Sequence, residues 1–431
     1  MTTDGQWDRR SVLRSAAVVA GAAAAVPLLG EAAAARTGTD DADALFKAGR
    51  FEEAGRAYEK VLKHNPEDLH AARRRGYVGL LSNRFPEAEK YLTMALGLAP
   101  GDKDTNRLMA DCHLRQDRLS LSAPHWKAAG NDVFATWFSA VRGEPYQVHG
   151  DIARLPFRQL DPSPLVEGSA NGGPPKPYLP YTGAPWLGLS METAEEAGLT
   201  HVAKQQIDFL DGKAWQYFGV LDSFRLDGID LRNVPVVWSE TDQASPGGAD
   251  GGLIGTWVLY HLLTTFDYAG RSLILRRRTP EASRRARADA ARAGAEPLPL
   301  WLAREHMTHS TGSVAGSGDR VVGLAIGGTS ENTVVMSEET AKRLGVRIDY
   351  DRPLETFAHS HPVVTYPCYP EESRLGGASA QGAYSLVNPG QAPARNGFDV
   401  LATFFHSFYK PYNITLDFAA MNVYIARGKA A

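Results

Sequence analysis

Tyr181 is the ionisable side chain in a pair of glycine turns, Tyr181-Thr182-Gly183 and Ile326-Gly327-Gly328-Thr329. A phenol titrates at about 10, so at neutral pH Tyr181 can donate a hydrogen bond or act as a general acid toward a carbonyl or enolate. Ile326 has no ionisable group. Nothing near Tyr181 in the sequence offers a partnering base, and the simpler use of its ring is to fill the space between the turns. Trp186, Tyr217 and Phe218 would wall a cleft there, with Thr182, Gly183, Gly327, Gly328 and Thr329 at its floor.

Histidine offers a second route to chemistry. His306-x-x-His309 alternates poorly on a strand, whereas His359-Ser360-His361 would set two rings on one strand face. Neither pair has a third ligand at a defined spacing, so both read as polar loop or core residues rather than metal ligands. A Gly-rich phosphate loop, a Gly-x-Ser-x-Gly elbow and a Cys-based zinc pattern are all missing. No metal or cofactor is expected.

The elements that must position the turns are duplicated. Ser190-Met191-Glu192-Thr193-Ala194, running to Gly198-Leu199, matches Ser337-Glu338-Glu339-Thr340-Ala341, running to Gly345-Val346, at an offset of 147 residues. Each copy closes with a Thr-x-Asp-aromatic-Ala strand, Thr265–Ala269 in the first and Thr415–Ala419 in the second. Internal repetition of this kind defines the architecture before any single residue does.

Strand, Asp-Thr-Gly turn, small residue, apolar strand, Ser and a short helix ending in Gly is the active-site pattern of retropepsin-type aspartic proteases. Residues 160–426 resemble two such lobes in the pepsin-like arrangement, which implies a mainly-β bilobal domain with a cleft between the lobes. The resemblance makes the 205–219 region a flap. It also makes Leu253-Ile254-Gly255 the segment that crosses behind the first turn, where glycine is needed because two backbones pass closely. On this pattern Tyr181 stands at the first Asp position and Ile326 at the second, and a one-residue shift would put Ala325 or Gly327 there instead. None is a carboxylate. An aspartic protease needs two carboxylates that share one proton, one acting as base on the bridging water and the other as acid. The resemblance therefore implies the fold and denies it peptide hydrolysis. Asp267 and Asp417, in the closing strands, read as structural or surface carboxylates and not as a displaced dyad.

Residues 40–131 repeat with a 34-residue period. Gly49, Asn83 and Asp117 share one phase, followed by Phe51, Phe85 and Leu119, then Ala54, Ala88 and Ser122, then Tyr58, Leu92 and Trp126, with Pro66 and Pro100 ending the first two units. That order resembles tetratricopeptide repeats, in which small residues let paired helices approach and proline stops the second helix. Two uses are open: a concave surface for a protein partner, or a helical spacer packed on the neighbouring domain. The first unit has a first helix only if residues 40–48 supply it.

The chain of 431 residues suggests two or three domains. The fold class expected is multidomain, an all-α helical repeat followed by the bilobal β domain. Its parts are a signal segment over 1–35, repeats over 40–131, a connector over 132–160, lobes over 161–278 and 298–426, and an Ala/Arg-rich linker over 279–297. A net charge of −3 gives no reason to invoke nucleic acid or an anionic membrane. Cys112 and Cys368 fall in different domains and read as free buried thiols. Arg9-Arg10-Ser11-Val12-Leu13-Arg14 resembles a twin-arginine export motif. The 14-residue apolar run Ala16 to Leu29 is shorter than the roughly 20 residues that span a bilayer, and Ala33-Ala34-Ala35 is a small-residue cleavage site. Export of a folded protein is expected, with the membrane met only in transit.

Two functional classes follow. One is an exported binding protein that grips a peptide or small apolar ligand between its lobes without cutting it. The other is a repurposed enzyme of cyclase or isomerase type that uses Tyr181 as acid or hydrogen-bond donor.

Overall fold

The computed structural model describes residues 38–209, 212–240, 246–328, 331–358, 361–390 and 396–428. The signal segment over 1–35, Thr329 and His359 lie outside the described residues.

Seven helices come first: α1 (38–47), α2 (Phe51–His64), α3 (Leu69–Leu81), α4 (Phe85–Leu98), α5 (Lys103–Leu114), α6 (Leu119–Ala128) and α7 (Asp132–Ala140). Asp68 and Asp102 cap α3 and α5 by accepting from the N–H groups of Ala71 and Thr105, three residues on. Within each pair the chain turns through a left-handed residue, Gly49 (φ 79°), Asn83 (φ 54°) or Asp117 (φ 58°). Gly, Asn and Asp are the residue types that tolerate that conformation best, which accounts for the first phase of the 34-residue period. Close approach accounts for the small positions: a Cβ on Gly76 would sit 2.7 Å from Leu92, and one on Gly79 3.0 Å from the Ala88 nitrogen. The helix over 38–47 supplies the first member of the first pair.

The first lobe contains β1 (Gln147–His149), β2 (Ile152–Pro156), β3 (Val166–Ala170), β4 (Lys176–Pro180), β5 (Leu187–Leu189) and helix α8 (Met191–Glu196). It continues through β6 (Ala203–Phe209), β7 (Gly212–Leu226), β8 (Ile229–Ser239), β9 (Gly252–Ile254), α9 (Thr256–Tyr260), β10 (Leu262–Asp267) and β11 (Ser272–Arg277). Helix α10 (Pro280–Arg292) links the lobes. The second lobe opens with β12 (Leu298–Pro299), β13 (Trp301–Leu302), β14 (Thr308–Val314), β15 (Arg320–Leu324), β16 (Val334–Ser337) and α11 (Glu338–Arg343). Then come β17 (Leu354–Ala358), β18 (His361–Cys368), β19 (Glu372–Leu375), β20 (Ala378–Gln381), β21 (Ser385–Asn388) and β22 (Thr403–Phe404). Helix α12 (His406–Tyr409), β23 (Tyr412–Asp417) and β24 (Asn422–Arg427) complete it.

The lobes share a six-stranded sheet in the order β12-β24-β23-β10-β11-β2, three strands from each half. Its midpoint is Thr265 opposite Thr415, whose hydroxyls lie 2.9 Å apart. The segment read as a connector is built into this framework instead. Within it α7 is helical, β1 pairs with β8, and β2 pairs with β11.

The helical unit lies against both lobes. Phe51 meets Trp301 edge-on at 4.9 Å and Phe398 at 5.0 Å, on the second lobe. At the other end Trp137 of α7 packs on Phe218 at 5.0 Å, and its indole N–H donates to the Gly219 carbonyl at 2.7 Å, on the first lobe. The left-handed turn residues face the lobes as well. Asn83 donates to the Tyr260 hydroxyl, and Asp117 Oδ1 lies 2.9 Å from His261 Nε2. A Cβ on Gly49 would fall 2.2 Å from Val321. Of the two uses open to the repeats, packing on the neighbouring domain is present along this edge.

Candidate functional site

The two glycine turns meet, and a single threonine joins them. The Thr182 hydroxyl donates to the Leu324 carbonyl and accepts from the Ile326 N–H, each at 2.9 Å. The Thr182 N–H donates to the Ile326 carbonyl at 3.0 Å. Thr182 is wholly buried, so these bonds satisfy polar groups that water cannot reach. A Cβ on Gly327 would lie 1.8 Å from the Pro180 oxygen, and the φ of 87° there also calls for glycine.

Strand pairing fixes the register of the two copies and corrects the placement of Ile326. In the parallel pair β4/β9 Pro180 faces Ile254, and the Tyr181 N–H donates to the Ile254 carbonyl. In the parallel pair β15/β22 Leu324 faces Phe404, and the Ala325 N–H donates to the Phe404 carbonyl. Ala325 is therefore the counterpart of Tyr181, and Ile326 that of Thr182. Beyond the turn, Leu187 faces Ile254 and Val334 faces Phe404, so the offset has grown from 144 to 147 residues. Three extra residues sit in the second turn. The threonine bridge is consequently one-sided, because Ile326 offers only its backbone where Thr182 offers a hydroxyl.

The side chains follow that asymmetry. Ile326 is fully buried in the principal core, while Tyr181 packs with Leu165, Leu179, Ala249 and Leu253 in a separate cluster. The Tyr181 ring folds across both turns. A Cβ on Gly183 would lie 2.1 Å from its Cζ, and one on Gly328 would lie 2.8 Å from its Cε2. Burial pushes the Tyr181 phenol up to about 12, so it stays neutral. Its hydroxyl bonds to no protein group among the described residues. Behind the first turn, a Cβ on Gly255 would fall 2.3 Å from the Trp186 oxygen, so the backbones pass as closely as the sequence implied.

The structure thus gathers Tyr181, Thr182, Gly183, Gly327 and Gly328, and separates the aromatic wall. Phe218 is fully buried under α7 and takes no part in a cleft. Its neighbour Tyr217 points to the other face of β7, stacks on Trp238 at 5.8 Å and donates its hydroxyl to Glu240. Trp186 lies edge-on to Trp257 at 6.1 Å, packed against the principal core. Asp417 is buried and accepts from the Ser283 hydroxyl and the Ala419 and Ala420 N–H groups, and Asp267 accepts from the Gly270 N–H. Both carboxylates serve their own turns. His306 and His309 are both buried, the first beside Tyr260 and Trp257, the second bonded to the Met307 carbonyl. Cys112 and Cys368 are free and buried.

Fold and turns together define a helical-repeat region followed by a two-lobed aspartic-protease-like domain. Residues 39–103 match the tetratricopeptide repeat family and residues 166–258 the aspartyl protease family. The second match lies within the first lobe, whose parallel strand pairs and short helices the second lobe repeats. No curated protein matches the chain. Among solved structures the chain is similar to the "MamA RS-1 ArsTM double mutant" at 23% identity, with 22% of this chain and 53% of that one covered and a TM-score of 0.21. It is also similar to a mutant O-GlcNAc transferase of Thermobaculum terrenum at 17% identity, with 26% and 24% covered and a TM-score of 0.24.

Proposed function

We propose that this protein is a non-proteolytic binding protein, which holds a peptide or small apolar ligand between its lobes. One observation carries the reading: the two equivalent turn positions hold Tyr181 and Ala325, and the Tyr181 ring lies over the glycines of both turns. Without two carboxylates sharing a proton, no water is activated by the standard route. The enzyme reading is weaker. General acid catalysis works best when the pKa is near the working pH, and burial moves Tyr181 the other way. A protein partner of the repeats would meet them on faces the lobes do not cover.

The test is incubation of the chain from Arg36 onward with unfolded protein and peptide libraries between about pH 3 and 8, the range in which such dyads work. Peptides should be retained intact. Pepstatin-sensitive cleavage by material free of contaminating protease would overturn the proposal.

Export is the second part of the reading and rests on the sequence around Arg9 and Arg10. Residues 1–36 fused to a folded reporter should carry it across the membrane, and replacing both arginines by lysine should stop transport. Unchanged transport of the double lysine fusion would remove this part.

A further inference from the structure

We infer that the third helix pair carries a site for a divalent transition-metal ion, held by His113 of α5 and His125 of α6. Their imidazole centroids lie 5.6 Å apart, with the ring planes tilted by 32°. The stacked rings of Tyr146 and His261 are closer and flatter, at 4.1 Å and 14°. A zinc ion stands about 2.0–2.1 Å from each ligating nitrogen, which sets two imidazole centroids roughly 5–5.5 Å apart at a tetrahedral angle. The separation of His113 and His125 is that of two rings sharing an ion rather than of two rings in a stack.

An independent hydrogen-bond argument fixes the lone pair of His125. Asn106 is 3% exposed and donates its amide nitrogen to the carbonyls of Pro100 at 2.8 Å and Asp102 at 3.0 Å. Its Oδ1 is therefore an acceptor, and His125 Nδ1, 2.9 Å away, carries the proton. The neutral ring then presents the lone pair at Nε2. A tautomer fixed in this way is what orients histidines that hold metal ions. On His113 it is Nδ1 that is buried, without a bonding partner, so Nε2 is the nitrogen an ion from solvent can reach. Both side chains are half-buried, and neither Nε2 bonds to a protein group among the described residues.

Glu89 of α4 accepts from Gln116 at 2.7 Å and from Arg118 at 2.8 Å. Those bonds commit its carboxylate and neutralise Arg118, so the protein supplies two imidazoles and water completes the coordination. Imidazole ligands favour zinc, nickel or copper over magnesium or calcium.

The placement suits a staple. Pro124 lies inside α6, immediately before His125, and its missing N–H takes one bond out of that helix. An ion across α5 and α6 pins a helix that its own sequence weakens. At the equivalent positions the first two pairs hold Leu45 and Ala57, then Gly79 and Tyr91, none of them a metal ligand.

Calorimetric titration of the chain from Arg36 with zinc chloride, and with magnesium chloride as the control, tests the site. Zinc should bind saturably and magnesium should not. His113→Gln and His125→Gln should each weaken zinc binding at least about tenfold, the smallest loss that even an outer partner of a ligand brings. His201→Gln, an exposed position on the first lobe, should bind as the wild type does. Zinc should also slow amide exchange across residues 119–128 of the unsubstituted chain, a readout that needs no variant to fold. Absence of saturable zinc binding would overturn the proposal. So would undiminished binding in both variants, which would place the ion on surface histidines only, or unchanged exchange across α6 at saturating zinc.

Discussion

Replacing Arg115 by Met should lower stability by about 3–5 kcal/mol, the usual result of leaving a buried charge without its partner. The Arg115 side chain is fully buried. One Nη donates to Asp111 at 2.6 Å and to the Ala303 carbonyl at 2.8 Å, and the other donates to the Leu80 carbonyl at 2.9 Å. Its own carbonyl accepts the Tyr260 hydroxyl at 3.0 Å. These bonds reach α3, the second lobe and the first lobe from one residue of the helical unit. Truncation leaves Asp111, whose side chain is 6% exposed, as an uncompensated carboxylate 4.0 Å from His306. The double variant Arg115→Met/Asp111→Leu should recover most of the loss, because removing both charges removes the desolvation penalty with them. Urea unfolding of the two variants checks this. A single variant within about 1 kcal/mol of wild type would show that the pair is solvated and carries no such load.

Acidification from about pH 7 to 5 should be the second large effect, and it comes from histidines kept neutral by burial. Burial holds His306 well below its ordinary range and brings His309 and His406 down to about 4. His406 is wedged between the lobes, Nδ1 3.2 Å from the Tyr268 hydroxyl and Nε2 2.9 Å from the Leu160 carbonyl. A base whose folded pKa lies below its unfolded value, about 6.5, takes up its proton in the unfolded chain first. The stability it contributes is therefore full above the unfolded pKa and falls as pH drops toward the folded one. At pH 5 each of His309 and His406 should cost about 2 kcal/mol, at roughly 1.4 kcal/mol per pH unit. Paired carboxylates such as Asp102 and Asp161, which their partners hold low, add to the loss only at still lower pH. Melting temperatures between pH 5 and 8 check the prediction. A flat profile from 7 to 5 would mean that these rings are hydrated or protonated in the folded protein.

Much of the architecture was legible because it is periodic. A 34-residue beat placed the helix pairs, and Gly49, Asn83 and Asp117 marked the left-handed turns that the structure contains. The duplicated Ser-to-Gly helices likewise marked both lobes. Register at the second turn was hidden, because three extra residues after Ala325 are absorbed in a loop, and only the hydrogen bonds of β22 reveal which residue faces which. Phe218 and Tyr217 were read as one wall, although neighbours on a strand point to opposite faces. Which face is covered depends on α7, more than 70 residues earlier in the chain. The partners of Asn83 and Asp117, Tyr260 and His261, lie further away still. The Arg115 pin has the same origin, since its ties run to a turn and a helix of the other domain that no local pattern announces.

The one-sided bridge at Thr182 is one of several ties between the lobes, among them the shared six-stranded sheet, the His406 contacts and the helical unit seated on both. A clam whose hinge is a continuous sheet, whose lips are stitched at one point and whose shell is strapped from outside does not gape. Rigid-body opening as a gate for ligands would have to rupture buried polar bonds at the stitch and aromatic packing at the strap together. A ligand of the kind proposed would have to bind without the lobes parting. Selectivity would then rest on shape, with little of the binding free energy lost to closing the protein around its guest.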